Sequence, residues 1–291
     1  MNVFKLQPGL RPVHKISRDK FEAVTGKMAP WYQREGDKIA PFAVCPACDN
    51  PIRIVALYER HENSPSPYGK HTPKTVAGLA TYNQIAYDDC PYAHPGMELD
   101  RARRRPETDP RGRDILQLLR GQFDRVIYII QRDTGIIISP ALAKNLLDSF
   151  LGMQGHLYVG TNLCNLPWMF AYMTTSQTLF GRKIKPDSEL FKALKCNKHI
   201  SITEQSKVTS SQKEFLEITF CFIEHKITQK SSSHEETIKF MVKVNGEEIF
   251  HKILQIDPVY FHNLVNCPPE RAYRDERLLG IAAEMIFLQQ D

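Results

Sequence analysis

The chain has 291 residues, of which 42% are hydrophobic and 24% charged, so it can bury a core and is not disordered throughout. Its seven cysteines are too few and too scattered for a small disulfide framework. The residues after Met1 contain no apolar signal region, and no run approaches ~18 apolar residues. The sequence therefore predicts a cytoplasmic protein, in a reducing compartment where closely spaced cysteines bind metal more often than they form disulfides.

The net charge of +5 lies entirely within residues 1–113, which hold 18 basic and 13 acidic side chains. The remaining residues, 114–291, hold 20 of each kind. This asymmetry indicates either an anionic partner for the first third of the chain or an ordinary surface charge.

A first module, residues 1–95, contains two turns whose residues are typical metal ligands. Cys45 and Cys48 form a C-x2-C turn, and Cys90 and His94 form a C-x3-H pair. Two thiolates at this spacing can hold one tetrahedral ion, and a Cys3His set completes a closed zinc site. Between the two turns the sequence predicts a strand at 52–58, a polar loop at 59–74 and a short helix at 76–87.

We therefore predict a structural Zn²⁺ bound by Cys45, Cys48, Cys90 and His94. A site with four protein ligands leaves no position for a reacting water, so it stabilises the fold and does not hydrolyse a substrate. His71 and His61 are alternatives to His94 as the fourth ligand. The other interpretation is two buried cysteines together with an unrelated cysteine and histidine. Cys164, Cys196, Cys221 and Cys267 show no close pairing, and we interpret them as core or partly buried thiols.

A basic linker or loop is predicted at residues 96–113, where Pro, Gly, Arg and Asp replace any periodic pattern. Guanidinium groups fit phosphate oxygens, and nearby aromatic rings can stack on bases. The interpretation without nucleic acid is a solvated linker. The predicted nucleic-acid-binding residues are Arg101, Arg103, Arg104, Arg105, Arg111 and Arg113.

The region 114–200 is predicted to be mostly helical. Asp114 is expected to cap a helix whose apolar residues begin at Ile115, and Ser139 with Pro140 is a typical helix start. A third helical segment is predicted from the aromatic-rich run at 165–180.

The region 201–291 is predicted to form an antiparallel β-meander followed by terminal helices. Residues 213–228 alternate as a strand does, a second strand follows at 237–244, and Asn245-Gly246 indicates a tight hairpin turn to a third strand. The predicted fold class is thus α+β: a zinc-stabilised N-terminal module, a helical middle and a C-terminal meander with helices at 258–265 and 270–288.

The leading functional hypothesis is a zinc-stabilised protein that binds DNA or RNA, as a non-catalytic subunit of a larger prokaryotic complex. A protein-interaction or assembly module, using the 165–180 region, is the first alternative. The second is a Mg²⁺-dependent nuclease of the PD-(D/E)xK type, based on Glu224 and Lys226 two residues apart on a predicted core strand. Both residues are expected to share the face of Ile218, Phe220 and Phe222. The two cysteine turns are similar to the N-terminal module of bacterial competence-protein-like nucleases, a similarity too short to assign a family.

Overall fold

The computed structural model describes residues 1–9, 12–58, 66–94, 100–211, 216–230, 233–268 and 274–287. It has an α+β architecture with antiparallel sheets and a C-terminal meander, as predicted. Its helices are α1 (Arg18–Thr25), α2 (Gln84–Asp88), α3 (Pro110–Thr134), α4 (Pro140–Gly152), α5 (Leu166–Tyr172), α6 (Glu189–Lys195), α7 (Pro258–Val265) and α8 (Glu276–Phe287).

The N-terminal module is built on a sheet with strand order β2-β1-β4-β5-β6, and β3 pairs with β4. All pairs in it are antiparallel. The module has its own apolar clusters, to which Cys45, Cys48 and Cys90 belong. Its strands are β1 (Val3–Lys5), β2 (Val13–Lys15), β3 (Tyr32–Glu35), β4 (Lys38–Val44), β5 (Pro51–Val55) and β6 (Tyr68–His71).

The long helix α3 starts earlier than the sequence predicted. Asp109, not Asp114, is its N-cap, and the carboxylate of Asp109 accepts the backbone N–H of Arg111 with Pro110 in the first position. Residues 110–113 are therefore helical and not part of a linker. The predicted start of α4 is confirmed, because the Ser139 hydroxyl accepts the Leu142 N–H.

The C-terminal sheet has the order β14-β13-β12-β8. The Asn245-Gly246 turn joins β13 to β14 as predicted, with both residues at positive φ. The predicted helical region and the meander share one core cluster, from Ile115 to Ile286. The remaining strands are β7 (Ile136–Ile137), β8 (Gln177–Thr178), β9 (Lys183–Ile184), β10 (Ile200–Ile202), β11 (Val208–Ser210), β12 (Ile218–Lys230), β13 (Ser233–Val244) and β14 (Glu247–Gln255).

Several predicted boundaries fall partly outside the described residues. The loop predicted at 59–74 is described from residue 66, and the prediction is wrong for residues 68–71, which pair with β5 as strand β6. The terminal helix predicted at 270–288 is seen as α8. The helix predicted at 76–87 is shorter: Val76 and Ala80 form an isolated bridge, and α2 begins only at Gln84. A helical start at 76 is prevented because the chain closes a turn there instead, with Gly78 in the left-handed region.

Candidate metal centre

Three cysteines and one histidine form a compact group in the N-terminal module. The ligand atoms of Cys45, Cys48, His71 and Cys90 all lie within 4.8 Å of one another. The three cysteines are buried, and His71 is partly buried. Among the described residues, this group can hold a metal ion.

The distances within the group fit a tetrahedral zinc ion. The Sγ atoms of Cys45 and Cys90 are 3.8 Å apart, and His71 Nε2 lies 3.3 Å from Cys48 Sγ and 3.6 Å from Cys90 Sγ. Zn–S bonds of about 2.3 Å and Zn–N bonds of about 2.0 Å at tetrahedral angles place two sulfurs about 3.8 Å apart, and sulfur and nitrogen about 3.5 Å apart. The donor set could hold a metal ion, and these three distances are consistent with a structural zinc site.

The C-x2-C turn is held in place by its own backbone and by Asn50. The backbone N–H of Asp49 donates to Cys45 O, and that of Cys45 donates to Asn50 O, while Asp49 adopts a positive φ. Asn50 is fully buried; its amide donates to Cys48 Sγ and to Asn83 O, and its side-chain oxygen accepts the Asn83 N–H. One side chain thus links the first ligand turn to the start of α2, which precedes Cys90.

The fourth member of the group is His71 and not His94. Strand register explains this, because Ala43, Ile52 and His71 lie opposite one another across β4, β5 and β6. They share one face of the sheet, and Cys45 follows on that face two residues beyond Ala43.

His94 lies outside the group, and its ring packs edge-on against Tyr87 at 5.1 Å. His61, the other alternative, is outside the described residues.

Without a cation, the three thiols cannot all ionise in this space. Burial raises the pKa of Cys45 and of Cys90 well above the usual thiol range. Burial also opposes ionisation of Cys48, but hydrogen bonds from Cys45, Cys90 and His71 bring its pKa well below that range. Burial therefore opposes ionisation of all three thiols together, and a bound divalent cation supplies the positive charge that three thiolates need.

The predicted nucleic-acid-binding arginines are used largely inside the molecule. Arg105 is 4% exposed, and its Nη2 donates to the carbonyls of Val159 and Thr161, both at 2.6 Å. Arg101 donates to Thr174 O and lies over the ring of Tyr172. Nucleic-acid contacts of these residues stay a prediction.

The other four arginines differ in how much of the guanidinium group is left free to contact a phosphate. Arg104 donates to the carbonyls of Arg101 and Met153, and Arg103 pairs with Asp89 at 2.8 Å. Arg111 makes a double contact with Asp109, its own helix cap, and Arg113 is exposed. The stretch therefore does not present a single array of free cations.

His156, which lies near Arg104 and Arg105, makes the free energy of unfolding depend on pH. Burial, together with the charges of Arg104 and Arg105, lowers the pKa of His156 to about 4. Below its ordinary pKa of ~6.5 the unfolded chain binds a proton that the folded chain does not, so the free energy of unfolding falls as pH drops from about 6.5 towards 4. His156→Gln should make this pH dependence shallower in urea titrations, and His251→Gln on the exposed face of β14 should not. Equal slopes for wild type and His156→Gln would contradict the assignment.

The predicted nuclease pair, Glu224 and Lys226, lies on the exposed side of its strand. The pairing of β12 with β13 changes register between Ile223 and Lys226, and Glu224 there has a positive φ. Strand β12 therefore contains a β-bulge at this point. The expectation that these two residues share the face of Phe222 is wrong, because the extra residue turns His225 into the core instead. Glu224 pairs with Lys226 at 2.7 Å in solvent, and within the described part of the chain it joins no three-residue metal-binding group.

The aromatic run proposed as a partner surface forms part of the core. All seven residues of α5 are buried, and Trp168 donates from Nε1 to Asp133. Phe180, at the end of the 165–180 region, is 46% exposed. Of the four remaining cysteines, Cys164 is buried and Cys221 and Cys267 are partly buried, as predicted, whereas Cys196 is exposed, which corrects its prediction as a core or partly buried thiol.

In the described parts of the chain, no helix combines the length and the apolar character that a membrane span needs. Neither the family models, nor the curated proteins, nor the solved structures gave a match.

Proposed function

We propose that this chain is a zinc-stabilised nucleic-acid-binding protein that performs no chemistry at its metal site. The zinc would be bound by Cys45, Cys48, His71 and Cys90. Their geometry fits a closed tetrahedral site, which leaves no position for a reacting water. Support for nucleic-acid binding comes from a different part of the same module.

The supporting observation is an open, basic groove on the sheet that contributes His71. The groove has a volume of about 820 Å³ and is lined by residues of β4, β5, β6 and the adjoining turns. Three of its lining side chains are cations, Lys38, Arg53 and Lys70, and none of the described lining residues is acidic. A concave surface with one sign of charge attracts a polyanion.

Strand register places two of these cations on the face of the sheet opposite to the metal group. Arg53 and Lys70 are paired across β5 and β6, and both are exposed. Their neighbours Ile52 and His71 are paired in the same way on the inner face. Arg53 also forms an ion pair with Glu35 at 2.9 Å, in which both side chains are half-exposed, so a phosphate can compete for it.

The test is the salt dependence of binding to labelled DNA and RNA. Three phosphate contacts predict that the logarithm of affinity falls with the logarithm of salt concentration at a slope of about −2 to −3. The double variant Arg53→Ala/Lys70→Ala should make this slope less negative by about 2, because two phosphate contacts are lost. Lys144→Ala, which removes an exposed cation on α4, is the matched control and should leave it unchanged. Absence of binding, or binding that ignores salt, would overturn the proposal.

A further inference from the structure

The groove contains aromatic side chains as well as cations. Tyr68 lies on β6 and is paired with Val55, so it shares the outer face with Arg53 and Lys70. It is partly exposed and lines the groove. Tyr58, also in the lining, is 43% exposed, and the guanidinium of Arg18 lies 5.1 Å from the centroid of its ring. Rings and guanidinium planes beside a basic path are the surfaces on which unpaired bases stack.

The orientation of Tyr58 is fixed by its neighbours. Its hydroxyl is hydrogen-bonded to that of Tyr32 at 2.7 Å, and Tyr32 packs against the buried ring of Phe21. A ring that is already ordered loses little conformational entropy when a base stacks on it.

The shape of the groove favours an open strand over a duplex. Proteins read a duplex with a protruding helix or a two-stranded ribbon that enters a DNA groove. Here the cations lie on a concave surface of three paired strands, which spans about 10 Å at the usual strand spacing. The bases of a duplex are stacked on each other and cannot reach Tyr68, whereas those of a single strand can.

We infer that the groove between β4 and β6 binds single-stranded nucleic acid, with phosphates on Lys38, Arg53 and Lys70 and bases stacked on Tyr58 and Tyr68. This inference rests on the proposed nucleic-acid-binding function and narrows its ligand. Stacking accepts any base, so binding is expected to depend on strandedness far more than on sequence.

The test compares one labelled oligothymidine of about 12 nucleotides with a duplex of the same length at one low salt concentration, by fluorescence anisotropy. The single strand should bind at least about tenfold more tightly. Tyr68→Ala should weaken single-strand binding by about tenfold and leave duplex binding unchanged, while Tyr68→Phe should retain it. Tyr128→Ala, which removes an exposed tyrosine on α3, is the matched control.

The outcomes separate this inference from the proposed function. Equal or tighter binding of the duplex, or an equal effect of Tyr68→Ala on both probes, would overturn the single-strand assignment while salt-dependent binding survives. Binding of neither probe would overturn both. The metal content and the thermal unfolding of each variant are measured as a folding control. Loss of binding is attributed to the substitution only in variants that match the wild type in both.

Discussion

Removal of the metal ion is expected to unfold the N-terminal module while the larger core, from α3 to α8, stays folded. Structural zinc sites in small zinc-finger peptides contribute about 10–16 kcal/mol of apparent binding free energy at neutral pH. Whole domains are stable by only about 5–15 kcal/mol. A module whose cluster includes the three cysteine ligands therefore loses most of its stability with the ion. Circular dichroism melts with and without a chelator should show a separate, earlier transition in the chelated protein.

The identity of the fourth ligand can be tested by a matched pair of histidine variants. His71→Ala should lower metal affinity by at least about tenfold, because it removes a donor atom and not merely a supporting group. His94→Ala should keep the metal content of the wild type, for which we expect one zinc per chain, since the substitution removes a ring contact with Tyr87 and not a donor atom of the group. Elemental analysis after dialysis at limiting zinc measures both. Equal loss in the two variants, or no metal in the wild type, would contradict the site.

The sequence was sufficient to predict three of the four grouped side chains but not the fourth. The C-x2-C turn is local, and Cys90 lies in the same module, so spacing alone identified the cysteines. The choice between His71 and His94 depends on the register of β4, β5 and β6. That register depends on pairing between β5 and β6, which are separated by residues 56–67 in the sequence, and no short-range pattern encodes it. For the same reason the sequence does not predict the basic groove, since Arg53 and Lys70 are 17 positions apart in sequence.

Alternation predicted the strands of the meander and their hairpin, but it failed at the bulge near Glu224. One extra residue reverses the inward and outward assignment of every position beyond it, so a sequence pattern of period two places Glu224 on the wrong face. In the arginine stretch, the sequence does not show which side chains are exposed, for a different reason. Charge density predicts exposure, but Arg105 is buried because two backbone carbonyls of the 159–161 segment lie within hydrogen-bond reach.

Loss of the Glu236 carboxylate is expected to destabilise the larger core strongly. Glu236 is 4% exposed, and its Oε1 accepts from Asn165 Nδ2 at 2.7 Å and from His225 Nε2 at 2.9 Å. With the imidazole protonated on Nε2, its Nδ1 accepts from the Tyr158 hydroxyl at 3.1 Å. Tyr92, which follows the Cys90 ligand, reaches Oε2 of the same carboxylate at 3.5 Å. The network thus links the metal-binding module, the helical region and the meander through buried hydrogen bonds.

Because its partners cannot reach water, Glu236→Ala should lower the free energy of unfolding by about 3 kcal/mol or more. Glu236→Gln keeps one accepting oxygen and should cost less, which provides a folded variant if the alanine protein does not accumulate. Glu224→Ala is the matched control, since its ion pair with Lys226 is exposed and should contribute under about 1 kcal/mol. Urea unfolding at neutral pH measures all three. If Glu236→Ala proved no more costly than Glu224→Ala, the network would be incidental, and the association of the module with the core would have to depend on apolar contacts such as that of Val259 with the N-terminal cluster.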